Sequence, residues 1–147
     1  MRGRSEILEL ENEDFEDGIV FLTVEEIVTL HKENIQLYSP HESLTIINQG
    51  ALESAAATPQ QTFSGQFLYG SLEEMAVAYL ICLAFNHAFE NGNKRVGFAA
   101  CSTFLLMNGY KLVLTQDEAE SLTMGLVTHK MTREEAVHLL EEAIILL

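Results

Sequence analysis

Between Met75 and Phe85 the chain runs through eleven residues without one charged side chain. Wound into a helix, Leu72, Met75, Ala76, Tyr79, Leu80 and Leu83 share a face, while Val77, Ala78, Ile81, Cys82 and Phe85 make the remaining surface apolar too. A helix that is apolar all round must be covered on most sides. The run is shorter than the roughly 20 apolar residues a bilayer requires, so it predicts the central helix of a folded domain. Ser71 and Glu74 place a capping-box pattern at its start.

The sequence then turns abruptly polar, through His87-Ala88-Phe89-Glu90-Asn91-Gly92-Asn93-Lys94-Arg95. A second helical run follows, from about Gly92 to Asn108, with Val96, Ala99, Ala100, Thr103, Phe104 and Met107 on one face. Its small residues at Gly97, Ala99, Ala100, Cys101 and Ser102 allow close approach to the central helix. A Gly-Asn-Lys-Arg run opening a helix has what an anion site needs: free backbone N–H groups, a glycine for close approach, and two cations alongside. Cations at a helix start oppose its macrodipole, so an anion between Lys94 and Arg95 explains them better than a solvated first turn. His87, ending the preceding helix, supplies a base that titrates near neutrality.

Elsewhere the chain is punctuated by capping patterns. Thr23 to Glu26 opens a helix to about Tyr38, ended by Ser39-Pro40, and Thr115 to Glu118 and Thr132 to Glu135 open the last two. Leu44, Ile47, Ala51, Leu52 and Ala55 recur at helical intervals, although Gln49-Gly50 either weakens that helix or turns the chain before a shorter one. Gln60 to Gly70 has no helical period and reads as a loop or hairpin flap. Tyr110 to Leu114 alternates as a short strand, Ile19 to Leu22 reads either as a short strand that could pair with it or as an extended entry, and the final helix is expected to carry a stripe from Ala136 through Leu139, Leu140 and Ala143 to Leu146 and Leu147. With no repeats or low-complexity tract, the expectation is an all-α bundle.

At 147 residues and 48% hydrophobic content the chain suits one domain, residues 19–147, preceded by an acidic leader over residues 1–18 in which seven carboxylates face Arg2 and Arg4. A net charge of −14 argues against duplex nucleic acid as a partner, since a phosphate footprint calls for a basic stripe. Neither a membrane span nor a secretory leader is expected, which places the protein in the cytoplasm. Cys82 and Cys101 lie in apolar helical sequence and read as reduced core thiols, with no zinc site and no disulfide. His31, His41, His129 and His138 stand outside any motif and read as structural or surface residues.

The nonapeptide from His87 to Arg95 resembles the Fic/Doc family signature, written H-P-F-x-[DE]-G-N-[GK]-R, and is most similar to its Doc-like, death-on-curing branch, which has Lys where Lys94 stands. Phe21 to Glu26 with Leu30-His31, and Gly50 to Ala55, also look like segments of Doc-like domains. The resemblance implies a compact six-helix fold with a strand or hairpin flap near the active-site loop. It implies ATP and Mg²⁺ as cofactors and transfer of part of the nucleotide to a protein hydroxyl. Most members transfer AMP, whereas Doc-like members with this Lys are associated with phosphoryl transfer to a translation elongation factor, as toxins countered by an antitoxin chain. On this resemblance His87 would take the proton from the target hydroxyl, Gly92 and Asn93 would present N–H groups to phosphate, Lys94 and Arg95 would hold it, and Phe89 would anchor the loop. The flap would pair with an extended segment of the target.

The departures are as informative. Asn91 stands where the family carries its metal-binding acid, with the carboxylate one place earlier at Glu90; an amide oxygen is a poorer Mg²⁺ ligand, and a catalytically weak binding protein is the resulting alternative. Ala88 replaces a Pro, and Ile47-Asn48 replaces an Arg-Asp pair of many Doc-like chains. Thr29 to Asn34 fits the loose pattern of a self-inhibitory helix, but Glu33 reads more simply as solvated.

Overall fold

The computed structural model describes residues 18–147, so the leader expected over residues 1–18 lies outside it except for Gly18. The described residues contain six α-helices within 24–143: α1 (Val24–Tyr38), α2 (Gln49–Ala57), α3 (Leu72–Phe85), α4 (Asn93–Met107), α5 (Gln116–Val127) and α6 (Arg133–Ala143). Strands among the described residues form two small antiparallel pairs, β1 (Thr62–Phe63) with β2 (Gln66–Phe67) and β3 (Tyr110–Leu112) with β4 (Ile144–Leu146). The all-α expectation holds. No helix among the described residues is long and apolar enough to cross a membrane.

α3 is the axis of the bundle. Met75 through Leu80, Leu83 and Ala84 are buried, and α2, α4, α5 and α6 all pack against it. α4 comes nearest because Gly97 removes a side chain at the crossing: a Cβ there would stand 3.0 Å from the Leu80 carbonyl oxygen and 3.3 Å from the Ala84 nitrogen. Both atoms are helix backbone and cannot swing aside. Gly97→Ala is therefore expected to destabilise by about 1–3 kcal/mol as an overpacking change, seen as a lower urea midpoint at unchanged slope.

The caps follow the sequence closely. Thr23, Thr115 and Thr132 each form a reciprocal capping box with the glutamate three residues on. Ser71 completes only half of one, accepting from the Glu74 N–H at 3.1 Å, because the Glu74 carboxylate turns to the Gly70 N–H instead. The Gln49-Gly50 ambiguity resolves as a short helix, with Asn48 capping α2 by accepting from the Ala51 N–H.

Two expectations are overturned at the far end of the molecule. β3 pairs with β4, in register Tyr110 to Leu146, and not with Ile19 to Leu22. The last helix stops at Ala143, so Leu146 and Leu147 leave its stripe. Consecutive β-branched Ile144 and Ile145 favour an extended backbone, and β3 offers it an edge. Residues 19–22 are held by side chains: the Asn108 amide accepts from the Val20 N–H at 2.8 Å and donates to its carbonyl at 2.9 Å, while the Tyr79 hydroxyl accepts from the Leu22 N–H at 2.9 Å. One side-chain amide thus replaces a strand's donor and acceptor.

The Gln60–Gly70 segment contains a true hairpin, with Ser64 and Gly65 both at positive φ in its two-residue turn. Phe67, at the open end, ties it to Phe21, ring centroids 5.7 Å apart, while Phe63, beside the turn, is 77% exposed. Cys101 is buried and Cys82 half-buried, both free; burial pushes the Cys101 thiol up to about 12, far from a reactive thiolate.

Candidate active site

α3 ends at Phe85, with Asn86 as its C-cap, and α4 begins at Asn93, so residues 86–92 form the turn of a helical hairpin. His87 adopts φ 49, a left-handed conformation uncommon for a residue with a Cβ, and its side chain is exposed. The chain then dives: Ala88 and Phe89 are buried before Glu90 returns to solvent. An exposed imidazole is thus followed at once by a buried aromatic ring that fixes the turn.

Three sets of contacts hold the loop. Residues 45–48 strap it, with the Ala88 carbonyl accepting from the Ile47 and Asn48 N–H groups at 2.8 and 3.1 Å and the Glu90 N–H donating to the Thr45 carbonyl at 3.0 Å. Ile47-Asn48, the pair that departs from the Doc-like pattern, therefore lies beside the loop. Asn93 braces it from within, its side-chain oxygen accepting from the Phe89 N–H at 3.1 Å and its nitrogen donating to the Phe89 carbonyl at 2.8 Å. From below, α1 supplies His31. Its ring is buried and lies flat on Phe89, centroids 3.7 Å apart and planes at 8°, and its Nε2–H donates to the Asn91 carbonyl at 2.7 Å.

His31 was not separable from surface histidines in the sequence, although a signal exists. It sits midway between Ile27 and Ile35, and those three residues are the buried face of α1. A carbonyl only accepts, so the bond assigns the proton to Nε2. Burial holds the His31 imidazole below its ordinary 6.5, outweighing the Asn91 carbonyl, which acts the other way. The folded chain thus refuses a proton that the unfolded chain accepts. Stability from this group is full above pH 6.5 and is lost as pH falls from there through the lower folded value. Acidifying from pH 7 to 5 is expected to lower the urea midpoint more in the wild type than in His31→Gln, which cannot titrate.

The N-cap of α4 is Gly92, which has φ 77 and gives no side-chain cap. A Cβ at Gly92 would approach Ile35 Cδ1 at 2.9 Å, so the loop is pressed onto α1. The first intrahelical bond runs from the Val96 N–H to the Gly92 carbonyl, which leaves the N–H groups of Asn93, Lys94 and Arg95 without intrahelical acceptors. Lys94 and Arg95 line a cavity of about 550 Å³ with Tyr38, Phe98, Gln116 and Met124. His87 does not line it. Arg95 donates to Ser39 Oγ at 2.9 Å, stands 3.7 Å from the Glu42 carboxylate, and lies over the Tyr38 ring at 5.9 Å. Glu33 is exposed and apart from this cavity, as its reading as a solvated helix residue requires.

The donor set for a divalent cation is thin. Asn91 is half-buried and offers a neutral amide, Glu90 is exposed, and no group of three or more metal-ligating side chains occurs among the described residues. Magnesium prefers one or two carboxylates with substrate phosphates, and the Asn91 position does not supply one.

The described residues thus form a helical bundle whose central hairpin turns through an exposed histidine, a buried aromatic ring and an uncapped helix start flanked by Lys94 and Arg95. The Fic/DOC family model matches residues 21–105, and the chain belongs to that family. It is 41% identical over 87 residues to "Toxin Doc" of Mycolicibacterium smegmatis, covering 58% of this chain and 67% of that protein. It is 27% identical over 111 residues to "Protein kinase doc" of Escherichia phage P1, covering 76% of this chain and 85% of that protein. Both relatives lie on the Doc-like side of the family.

Proposed function

We propose that this chain is a Doc-like toxin that transfers a phosphoryl group from ATP to a hydroxyl of a host protein, such as a translation elongation factor, and that a separate antitoxin chain restrains it. The observation that carries this reading is the helical-hairpin turn itself, which exposes His87 at one end and an uncapped helix start with Lys94 and Arg95 at the other. The names of the two relatives support the toxin and kinase elements. His87 takes the proton from the target hydroxyl as its oxygen bonds to the γ-phosphorus. The bond from that phosphorus to the β–γ bridging oxygen breaks, and ADP leaves. The N–H groups of the Gly92–Arg95 turn, the Lys94 ammonium and the Arg95 fork stabilise the charge spread over the transferred group. Arg95 would exchange part of its hold on Ser39 and Glu42 for phosphate.

Magnesium, where bound, would neutralise phosphate charge, with Asn91 and Glu90 as the nearest protein oxygens in sequence. The neutral amide fits that task poorly and no step is routed through the metal. Asn91 thereby favours a second reading, a catalytically weak nucleotide- and partner-binding protein.

Purified protein incubated with a host lysate, Mg²⁺ and ATP labelled at either the α or the γ position separates these readings. Transfer of γ-label only, absent with His87→Ala, is the expected result. Transfer of α-label instead would show AMP transfer. No label from either, appearing only with Asn91→Asp, would establish the weak binder. On the kinase reading Asn91→Asp is expected to raise the rate at least about tenfold, by supplying a metal carboxylate.

A further inference from the structure

The bond from His31 does more than bury a polar atom. No cis peptide bond occurs among the described residues, so the Asn91–Gly92 peptide is trans and planar, and its C=O and N–H point to opposite sides. With the Asn91 carbonyl held at 2.7 Å by a ring that is only 1% exposed, the Gly92 N–H is directed the other way, out of the core. The same imidazole stacks on Phe89, whose N–H and carbonyl are both taken by Asn93. A rotation of the peptide would break the His31 bond, and a shift of the ring would strain the Asn93 brace. Orientation of this single peptide plane is therefore fixed from α1, a helix that contributes none of the motif's residues.

We propose that His31 is a positioning residue for the phosphate cradle, one that aims the Gly92 N–H at the bound anion by holding the Asn91 carbonyl. The inference rests on the reading of Gly92 to Arg95 as that cradle. A residue that served only as core filling could be exchanged for an apolar ring of like shape. A positioning residue cannot, because the donor is what it contributes, and glutamine can restore it because its amide nitrogen reaches about as far as Nε2.

The full chain carries the test. ATP affinity is measured by calorimetry for the wild type, His31→Phe, His31→Gln and Lys94→Ala, and the Gly92 amide is followed by NMR in each. His31→Phe is expected to move the Gly92 amide resonance and weaken ATP binding about tenfold, the scale of one hydrogen bond to a charged group. His31→Gln should recover most of that loss, while Lys94→Ala loses affinity with the Gly92 amide unmoved. In the wild type, His31 should show the Nε2–H tautomer and a coupling across its hydrogen bond to the Asn91 carbonyl carbon, a readout independent of whether any variant folds. Wild-type affinity in His31→Phe with an unmoved Gly92 amide, or the Nδ1–H tautomer, would overturn the proposal. Absence of ATP binding in the wild type sinks the cradle reading, and with it the anion-aiming role, even where the Gly92 amide moves in His31→Phe.

Discussion

Replacing His87 with alanine is expected to reduce the proposed γ-phosphoryl transfer by roughly 10²- to 10⁴-fold, the range for loss of a positioned general base. The side chain is exposed and the residue's neighbours are held independently, by the strap at 45–48 and the Asn93 brace. Little stability should be lost with it. The left-handed backbone at φ 49 complicates alanine, which dislikes that region, so His87→Asn is the better control: asparagine tolerates it and cannot take the proton. Rates of label transfer to the target, measured beside thermal melts, decide the matter. A fall of less than about tenfold in both variants, with the fold intact, would remove His87 from the chemistry, since a working base contributes at least a hundredfold.

The largest effect on stability is expected at Asn93. Asn93→Ala deletes the acceptor of the Phe89 N–H and the donor to the Phe89 carbonyl, both in the buried interior. An unmatched buried backbone group costs about 1–3 kcal/mol, so the two together put the loss near 2–6 kcal/mol, a large share of the roughly 5–15 kcal/mol of a typical domain. Asn93→Asp keeps the acceptor and should lie between alanine and the wild type. Urea unfolding reads both losses directly. A loss below about 1 kcal/mol in Asn93→Ala would mean that the strap and His31 hold Phe89 without the amide. Transfer should fall in parallel, because the loop that carries His87 hangs from Phe89.

Much of this architecture was legible in the sequence because it depends on local rules. Threonine followed three residues later by glutamate marked three helix starts, and the all-apolar run from Met75 to Phe85 could only be a covered helix. The loop was legible for the opposite reason, as polarity where the pattern demanded none. What stayed hidden depends on contacts distant in sequence. Nothing local to Ile144-Ile145 says that β3 waits for it, and nothing local to Asn108 says that its amide will clasp Val20, 88 residues away. His31 lies between these cases: its place between Ile27 and Ile35 was readable, but its partner Asn91, 60 residues on, was not.

Because the His87 loop is only the turn 86–92 between adjacent helices, its closure costs little chain entropy compared with the long-range junctions of the fold. Contacts of short sequence separation form readily, so pairing of α3 with α4 is suited to be the folding nucleus. The strap, α1 and the Asn108 clasp would close later upon it. In kinetic terms, damage at Gly97 should slow folding, whereas damage at the strap should mainly hasten unfolding. The turn that carries His87 would then be among the first parts of the chain to take shape.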